Sequence, residues 1–273
     1  MKFPRIRTIL MVPLVLFALF YLTGVIMVQQ DDRTVDPFAG PLAGQKSVSI
    51  FGASGTAGDG ILKAALADPG IDEIEVITRR ATPRIDAGVA SGKVNMTIHK
   101  DYLDYTAVHE QIAGVDAVFW AIGTSAVGVE EDAYGRIHVD FPVQFVREWL
   151  QVSTRPSISF HYISSSDISE DSSMMWARTK VRAENTLFET AEGTKLRVIA
   201  YRPDYIGPTK EEAHLGQDIL YWFFAPVGAA VKATQIGQAM LEVSVRDVEL
   251  ENGARLATRK IIRYSDAYDH RKK

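Results

Sequence analysis

The chain has 273 residues, enough for one large domain or two small ones, and its 47% hydrophobic and 23% charged residues are typical of a packed globular protein. The net charge of −4 provides no basic field for phosphate backbones, which argues against a general nucleic-acid-binding protein, and a near-neutral mean hydropathy argues against several membrane spans. The absence of cysteine excludes disulfides, thiolate metal sites, Fe–S clusters and a cysteine nucleophile.

The N-terminal segment is predicted to be a membrane anchor. Residues 8–28 carry no charge, and about 20 apolar residues are needed for a helix to cross ~30 Å of hydrocarbon. A cleaved secretory signal is the alternative, but residues 25–30 offer no small-residue cleavage site, so an uncleaved single-pass transmembrane helix over 1–30 is favoured. A linker over 31–45 follows, in which proline and glycine interrupt regular structure.

From residue 46 onward, strand and helix patterns alternate. The short apolar runs that predict strands cover 47–51, 74–78, 94–99, 117–122, 158–163 and 196–201. The run at 117–122 is apolar throughout, which is typical of a central parallel strand that is covered on both faces. The alternation predicts an α/β fold, a Rossmann-type doubly wound parallel sheet over 46–273, with a small C-terminal substrate lobe from about 204.

A glycine-rich loop joins the first of these strands to the first helix. Gly52, Gly55 and Gly58 are spaced so that one glycine permits a tight turn, one lets the backbone approach a pyrophosphate and one lets the helix pack on the strand. The amides that follow would lie at the positive end of the helix, where an anion binds. Nucleotide binding is therefore predicted, and a turn that needs glycine for packing alone is the alternative. The predicted cofactor-binding residues of the loop are Gly52, Ser54, Gly55, Thr56, Ala57 and Gly58.

Several motifs in a linear order resemble one protein family. These motifs are FGASGTAG at 51–58, VITRR at 76–80, GVDAVFWAIGT at 114–124, YISS at 162–165, Lys180 with Glu184, Arg202-Pro203, and IGQAM at 236–240. In this order they resemble the atypical short-chain dehydrogenase/reductases, and among these the Tat-interacting-protein oxidoreductase family and its fungal mitochondrial relatives. The resemblance covers about residues 46–245 and implies an NAD(P)-binding fold with oxidoreductase activity.

The end of the second strand indicates which dinucleotide is bound. NAD-preferring sites usually place Asp or Glu there, whereas this strand ends in Arg79 and Arg80, and a guanidinium binds a 2′-phosphate bidentately. NADP(H) is therefore the predicted cofactor; the alternative is that both arginines only solvate the strand end. By the resemblance, Asp101 would lie beside the adenine, and a loop cap is its other interpretation. The residues that would pass under the cofactor riboses are Ala121, Ile122 and Gly123.

The resemblance also implies a Tyr-x-x-x-Lys pair, in which the phenol transfers a proton while the lysine holds the ribose and lowers the phenol pKa. Lys180 is present, but Trp176 occupies the position of the tyrosine, and an indole cannot act as a general acid near neutral pH. Ser166 matches the serine that polarises a carbonyl, or it forms a turn. Tyr162 and Tyr205 could supply a substitute phenol, or they are packing residues.

Two functional hypotheses result. The first is a membrane-anchored NADP(H)-dependent oxidoreductase that acts on a small carbonyl or alcohol, with the hydride supplied by the cofactor. The second is a non-catalytic dinucleotide-binding sensor or scaffold, which Trp176 favours. The six histidines lack metal-ligand spacing, so no metal site is predicted, and no nucleic-acid partner is expected.

The side of the membrane is left open by the sequence, as are the substrate and the oligomeric state. Lys2, Arg5 and Arg7 favour a cytoplasmic N-terminus with the domain across the membrane. NADP(H) is supplied mainly in the cytosol, which favours the opposite arrangement. Of these two arrangements, the one that the charges indicate is favoured.

Overall fold

The computed structural model describes four stretches of the chain, residues 6–40, 46–213, 215–246 and 249–271. Its first helix, α1 (Ile6–Gln29), is apolar almost throughout and includes Pro13. Large side chains such as Leu14 and Phe20 are exposed along it. By length and composition, α1 is able to cross a membrane, as expected for the N-terminal segment.

The remaining elements alternate between strand and helix. The strands are β1 (Lys46–Phe51), β2 (Ile71–Thr78), β3 (Val94–Ile98), β4 (Ala117–Trp120), β5 (Ile158–Ile163), β6 (Leu196–Arg202), β7 (Tyr205–Gly207), β8 (Ala230–Lys232) and β9 (Ala254–Ala257). The helices are α2 (Thr56–Ala67), α3 (Pro83–Ala90), α4 (His109–Ala113), α5 (Glu131–Gly135), α6 (Phe141–Val152), α7 (Met175–Ala191), α8 (Leu215–Phe224), α9 (Ala233–Ser244) and α10 (Thr258–Arg271). A π-helical turn, Arg136–Asp140, joins α5 to α6.

Seven strands form one parallel sheet in the order β3-β2-β1-β4-β5-β6-β9. The strand order reverses between β1 and β4, which is the point where ligands bind in open sheets of this kind. Burial alternates between the two faces of β1, since Ile50 packs with α2, α9 and α10 while Phe51 packs with α4, α6 and α7. The predicted Rossmann-type doubly wound sheet is therefore confirmed.

The fourth strand is shorter than its apolar run. β4 ends at Trp120, although the predicted strand continued to Ile122. The reason lies directly after the neighbouring strand β1, where Gly52 has a φ of +80° and turns the chain away from the sheet. The Ala121 amide still donates to the Phe51 carbonyl oxygen, but beyond that bond no strand of the described residues lies beside β4 on the β1 side. Residues 121–123 are consequently released from the sheet at its carboxyl edge.

The helices α2 and α9 cross with their backbones in close approach. A Cβ atom on Gly60 would overlap Ala233, and a Cβ atom on Gly237 would lie 2.7 Å from the Cα atom of Ile61. Glycine is required at both positions because any larger side chain would separate the helices. This crossing fixes α2, the helix that follows the glycine loop, against the body of the domain.

The chain after residue 204 divides into two parts. The parallel pair β7–β8, with α8 between these strands, forms a small lobe. Beyond it, β9 joins the main sheet beside β6, while α9 and α10 pack on α2 and on each other. The lobe is therefore smaller than the segment predicted from about 204, because the three later elements complete the core of the main domain.

The helix α1 is attached to the lobe and to α10. The hydroxyl of Tyr21 donates to the carbonyl oxygen of Phe223 at 2.8 Å, and their ring centroids are 5.4 Å apart. Just beyond the helix, the carboxylate of Asp31 forms ion pairs with the guanidinium groups of Arg259 and Arg263. The end of α1 is thus held at the carboxyl edge of the sheet, where α10 begins.

Part of the predicted linker lies on the domain as well. The Phe38 amide donates to the carboxylate of Glu242 at 3.1 Å, and the Asp36 carbonyl oxygen accepts from Arg246. The Arg246 guanidinium lies over the Phe38 ring, 5.9 Å from its centroid. Residues 41–45 of the linker lie outside the described part of the chain.

Candidate dinucleotide site

A cleft of about 530 Å³ opens at the carboxyl ends of β1, β2 and β4. It brings together three of the predicted groups: the glycine loop, the arginines after β2 and the segment after β4. The residues that line it are Gly52, Ser54, Gly55, Thr78, Arg79, Arg80, Tyr102, Ala121, Ile122 and Gly123.

The three glycines of the loop meet different surroundings. A Cβ atom on Gly52 would lie 2.6 Å from the carbonyl carbon of Ala121, and one on Gly58 would overlap the carbonyl oxygen of Gly52. These two positions need glycine for the turn and for the packing of α2 on β1. Gly55 differs, since the nearest atom to its added Cβ would be 3.5 Å away, an ordinary contact. Gly55 is exposed and lines the cleft, so a ligand can approach its backbone.

The N-terminus of α2 lies directly behind Gly55. Gly55 is the N-cap in an extended conformation, and no side chain among the described residues caps the helix. Thr56 is exposed, Ala57 is half-buried and Gly58 is buried. None of these three residues is part of the cleft lining. An uncapped helix start presents backbone N–H groups and a partial positive charge, which suits a phosphate.

Two exposed cations stand at the mouth of the cleft. Arg79 and Arg80 follow the last residue of β2 and are both exposed. The Arg80 guanidinium reaches across to the Ser54 carbonyl oxygen at 3.5 Å, so it lies beside the glycine loop. The Thr78 hydroxyl donates to the Arg80 carbonyl oxygen at 3.0 Å and fixes the turn that carries both arginines.

The structure places Asp101 and Tyr102 differently from the sequence-based expectation of an adenine contact at Asp101. Asp101 is exposed, does not line the cleft, and its carboxylate accepts from the Leu103 amide at 3.1 Å. Tyr102 forms the cleft wall instead, packed edge-on against His99 and tilted against Phe141, each at 5.5 Å between centroids. Burial raises the pKa of its phenol, while the charge of Arg79 opposes that shift.

The segment after β4 forms the opposite wall and packs against a buried histidine. A Cβ atom on Gly123 would lie 3.0 Å from the His138 ring, whose Nε2 is 3.3 Å from the Thr124 amide. Burial, reinforced by the charge of Lys180, lowers the His138 pKa to about 3, so the imidazole is neutral. Its Nδ1 has no hydrogen-bond partner among the described residues. Sequence analysis did not single out His138, because no spacing motif contains it.

Lys180 is buried between α7 and β5 rather than in the cleft wall. Its ammonium donates to the Ile163 carbonyl oxygen at 3.1 Å and lies 3.4 Å from the Tyr162 hydroxyl. Burial lowers the Lys180 pKa to about 7, and the Glu184 carboxylate opposes that shift. Glu184 is fully buried and forms an ion pair with Arg202. Without rearrangement, Lys180 is therefore a buried group and not a surface of the described cleft.

The other positions of the predicted catalytic set lie near Lys180 in the chain. Trp176 is half-buried in the first turn of α7, one helical turn before Lys180. Ser166 is half-buried, and its amide donates to the Pro203 carbonyl oxygen at 3.2 Å. Ser164 belongs to the YISS motif but was not predicted as a catalytic residue, and its buried hydroxyl has no hydrogen-bond partner among the described residues. Its only sequence signal is its place directly after the apolar strand β5.

Neither tyrosine that could replace the missing phenol faces the cleft. Tyr162 is fully buried, its hydroxyl donates to the His138 carbonyl oxygen at 3.1 Å, and burial holds its pKa well above the usual value. Tyr205 is half-buried in the lobe and donates to the Gln217 carbonyl oxygen at 3.1 Å. The cleft therefore has donors and cations for an extended anion, and neither phenol stands ready to protonate a second ligand.

Comparison with known proteins starts from sequence. No protein-family profile matches the chain. A protein of Purpureocillium lilacinum named leucinostatins biosynthesis cluster protein T is 24% identical over 173 residues, 63% of this chain, and this chain spans 61% of its length. The mitochondrial protein fmp52-1 of Aspergillus terreus is 29% identical over 170 residues, which cover 61% of this chain and 69% of that protein.

Solved structures are similar to a larger part of the chain than these sequence relatives are. A short-chain dehydrogenase/reductase from Serratia marcescens superposes with a TM-score of 0.61 at 17% identity, covering 80% of this chain and 97% of that one. A 3-oxoacyl-[acyl-carrier protein] reductase from Brucella melitensis, in complex with NAD, gives 0.60 at 15% identity over 81% and 98% of the two chains. The fold is that of the short-chain dehydrogenase/reductases. Its sheet covers the described domain from β1 to β9, while α1 precedes it in the chain.

Proposed function

We propose that the protein is a membrane-anchored NADP(H)-dependent oxidoreductase that acts on a small carbonyl or alcohol. The observation that carries the proposal is the cleft at the reversal of strand order, in which a glycine loop, two exposed arginines and the segment after β4 come together. The backbone approach at Gly55 and the uncapped start of α2 fit a dinucleotide pyrophosphate. When bound, NADP(H) would supply the hydride.

Each residue then has a defined task. Arg79 and Arg80 would bind the 2′-phosphate, because a guanidinium pairs with it where a carboxylate would repel it. Tyr102 would provide the wall beside the adenine, and residues 121–123 would lie under the riboses. Lys180 would reach a ribose hydroxyl only after giving up its hydrogen bond to the Ile163 carbonyl oxygen.

A second candidate function, a dinucleotide sensor or scaffold without turnover, is favoured by one observation. The position of the expected phenol holds Trp176, and the nearest phenol to Lys180, that of Tyr162, is fully buried. A protein with this site would bind the cofactor and transfer hydride slowly, since a positioned general acid contributes about 10²–10⁴-fold to a rate.

Kinship with the Tat-interacting-protein oxidoreductases and membrane anchoring belong to the same proposal. The first is supported by 29% identity to fmp52-1 and the motifs shared in order along the chain. The second is supported by α1, whose apolar side chains are exposed and whose length suffices for one crossing. Its relatives named as mitochondrial proteins make a mitochondrial membrane the first place to look.

The deciding experiment measures binding and turnover on the full chain in detergent micelles. Calorimetric titration is expected to give a lower Kd for NADPH than for NADH. Consumption of NADPH with a panel of small aldehydes and ketones then separates the two functions: measurable turnover supports the oxidoreductase, and binding without turnover supports the sensor. Failure to bind either dinucleotide would rule out both functions.

A further inference from the structure

We infer that α8 is a second membrane-contacting element, which lies in the bilayer interface beside α1 and holds the domain against the lipid surface. This inference rests on the proposed membrane anchor. None of the ten residues of α8 is buried, although the helix is strongly apolar. Exposure of an apolar helix to water is unfavourable in free energy. The side of α8 that faces away from the lobe is therefore expected to contact another apolar surface.

The exposed apolar residues form one stripe along α8. Leu215, Ile219 and Trp222 are 78%, 60% and 77% exposed, and Phe223 continues the same face. Their spacing of three and four residues places them on one side of a helix. An interfacial helix has this pattern, with Trp, Phe and Leu on the face that enters the lipid.

The opposite side of α8 faces other parts of the protein. Asp218, Tyr221 and the edge residue Trp222 line a second cavity, of about 630 Å³, between the lobe and the helices α2 and α9. The Tyr221 ring covers Gly207, and the Lys232 ammonium lies 5.8 Å from the centroid of that ring. The helix is therefore amphipathic: Asp218 and Tyr221 lie on the cavity side, Trp222 lies at the border, and Leu215 and Ile219 are exposed away from the cavity.

The stripe on α8 is continuous with the apolar surface of α1, and this continuity identifies a lipid bilayer as the surface that α8 contacts. The rings of Phe17 on α1 and Phe223 on α8 are stacked with centroids 6.2 Å apart, and the Tyr21 hydroxyl donates to the Phe223 carbonyl oxygen. Val227, just after α8, approaches Gly24 of α1. Any lipid that surrounds α1 at this level also meets α8, because the two apolar surfaces are adjacent.

The depth of this contact matches an interfacial position. The uncharged stretch of α1, residues 8–28, is about 30 Å long at 1.5 Å per residue, and Tyr21 lies about 20 Å along it. Tyr21 and Phe223 therefore lie about 10 Å from the boundary between acyl chains and headgroups at the Val28 end, a depth that an interfacial helix reaches. Tyr and Trp are enriched at that boundary, and Trp222 stands beside them.

The experiment uses the fact that the chain has no cysteine, so that one introduced cysteine takes one spin label. The full chain is reconstituted in phosphatidylcholine vesicles with a label at Ile219→Cys or at Leu215→Cys on α8. Accessibility to oxygen, which concentrates in lipid, is compared with accessibility to a water-soluble nickel complex. The matched control is Val89→Cys, an exposed apolar residue on α3, which lies next to β3 at the other edge of the sheet.

The inference predicts an oxygen-to-nickel accessibility ratio at Ile219→Cys and Leu215→Cys that is severalfold higher than at Val89→Cys. An equal ratio would overturn it, and so would a label that neither reagent reaches, because that result means a protein partner such as a second copy. A label at Phe20→Cys on α1 tests the anchor by itself. Lipid exposure at Phe20 with water exposure at Ile219 refutes only the role of α8, whereas water exposure at both refutes the anchor.

Discussion

The Lys180 ammonium lies 3.4 Å from the Tyr162 hydroxyl, and that hydroxyl donates to the carbonyl oxygen of His138. The pair resembles a reductase phenol and lysine in its chemistry but is turned into the core between β5 and α7. The phenol has no exposed surface, so it cannot meet a substrate. The pair is therefore part of the core, and the titration of Lys180 can be measured through the stability of the fold.

We expect the stability of the protein to rise between pH 7 and pH 9 because of Lys180. Burial lowers its folded-state pKa to about 7, so in this range the unfolded chain holds a proton that the folded chain has released. The free energy of unfolding then increases with pH, by up to about 1.4 kcal/mol per pH unit. Below about pH 7 both states are protonated and the effect vanishes.

Thermal unfolding of the full chain in detergent at pH 7, 8 and 9 measures this dependence. The Lys180→Met variant should lose most of the slope, while Lys100→Met, at an exposed position, should keep it. Equal slopes in wild type and Lys180→Met would show that the ammonium is solvated in the folded protein.

Replacement of Trp176 by tyrosine should increase carbonyl reduction. It restores a phenol one helical turn before Lys180, and a general acid in that place contributes about 10²–10⁴-fold. The measurement is the kcat for NADPH oxidation with a small aldehyde. Trp176→Phe is the control, since it changes the ring without adding a hydroxyl. Should wild type turn over rapidly and Trp176→Tyr change nothing, the proton must come from another group.

Removal of both arginines after β2 should change cofactor preference. The Arg79→Ala/Arg80→Ala variant is expected to lose about ten- to a hundredfold in NADPH affinity, from the roughly 1.5–3 kcal/mol of a charge-assisted contact, with little change for NADH. Calorimetric titration provides both Kd values. Arg147→Ala, at an exposed position on α6, removes one positive charge away from the cleft as a control. An equal loss for NADH and NADPH would contradict binding of the 2′-phosphate.

Addition of a single methyl group at Gly55 should lower the affinity for NADPH without lowering the stability of the fold. Its Cβ atom would be 3.5 Å from the nearest protein atom, so Gly55→Ala should leave the Tm nearly unchanged. Gly55 lines the cleft where a pyrophosphate would approach, so the added methyl group should lower the NADPH affinity severalfold. Gly114→Ala, with open space around its Cβ atom, is the matched control for both measurements. Undiminished affinity in Gly55→Ala would place the phosphates elsewhere.

Asp31 should determine how firmly α1 is attached to the domain. Hydrogen bonds from Arg33 and Arg263 hold the pKa of its carboxyl well below the usual value, and Arg259 forms a further ion pair with it. Asp31→Asn removes these ion pairs, and we expect trypsin to cleave after Arg33 severalfold faster in detergent micelles. Asp32→Asn alters the adjacent exposed carboxylate and should leave the rate unchanged. A rate in Asp31→Asn equal to that of wild type would mean that other contacts hold the helix.

The sequence predicted the sheet and the glycine loop because their signals are local. A fully apolar run, as at 117–120, and glycine spacing, as at Gly52 and Gly58, reflect requirements that act over a few residues. The strand β9 was not predicted, since it is a four-residue edge strand with a charged residue, and its pairing with β6 is long-range. The residue before β9 is Gly253, which has a φ of +90°. This glycine was the one feature of the sequence that could have indicated a turn at the start of β9.

Side-chain directions in the site could not be predicted in the same way. Whether Asp101 or Tyr102 lines the cleft depends on how the loop packs against His99 and Phe141. No sequence pattern indicates these two contacts. The inward orientation of Lys180 depends on the packing of α7 on β5. The apolar pattern of α8 was compatible with a core, a pocket or a membrane surface, because periodicity identifies a face without its partner.

The close crossing of α2 and α9 has a thermodynamic consequence for ligand binding. Since Gly60 and Gly237 bring the two backbones together, the helix that follows the glycine loop is rigidly supported before any ligand arrives. Association therefore requires little loss of conformational entropy in this region, and the affinity is not reduced by the ordering of a mobile loop. A larger residue at Gly237, which is not part of the cleft lining, would impose that entropic cost on every ligand that binds at the start of α2.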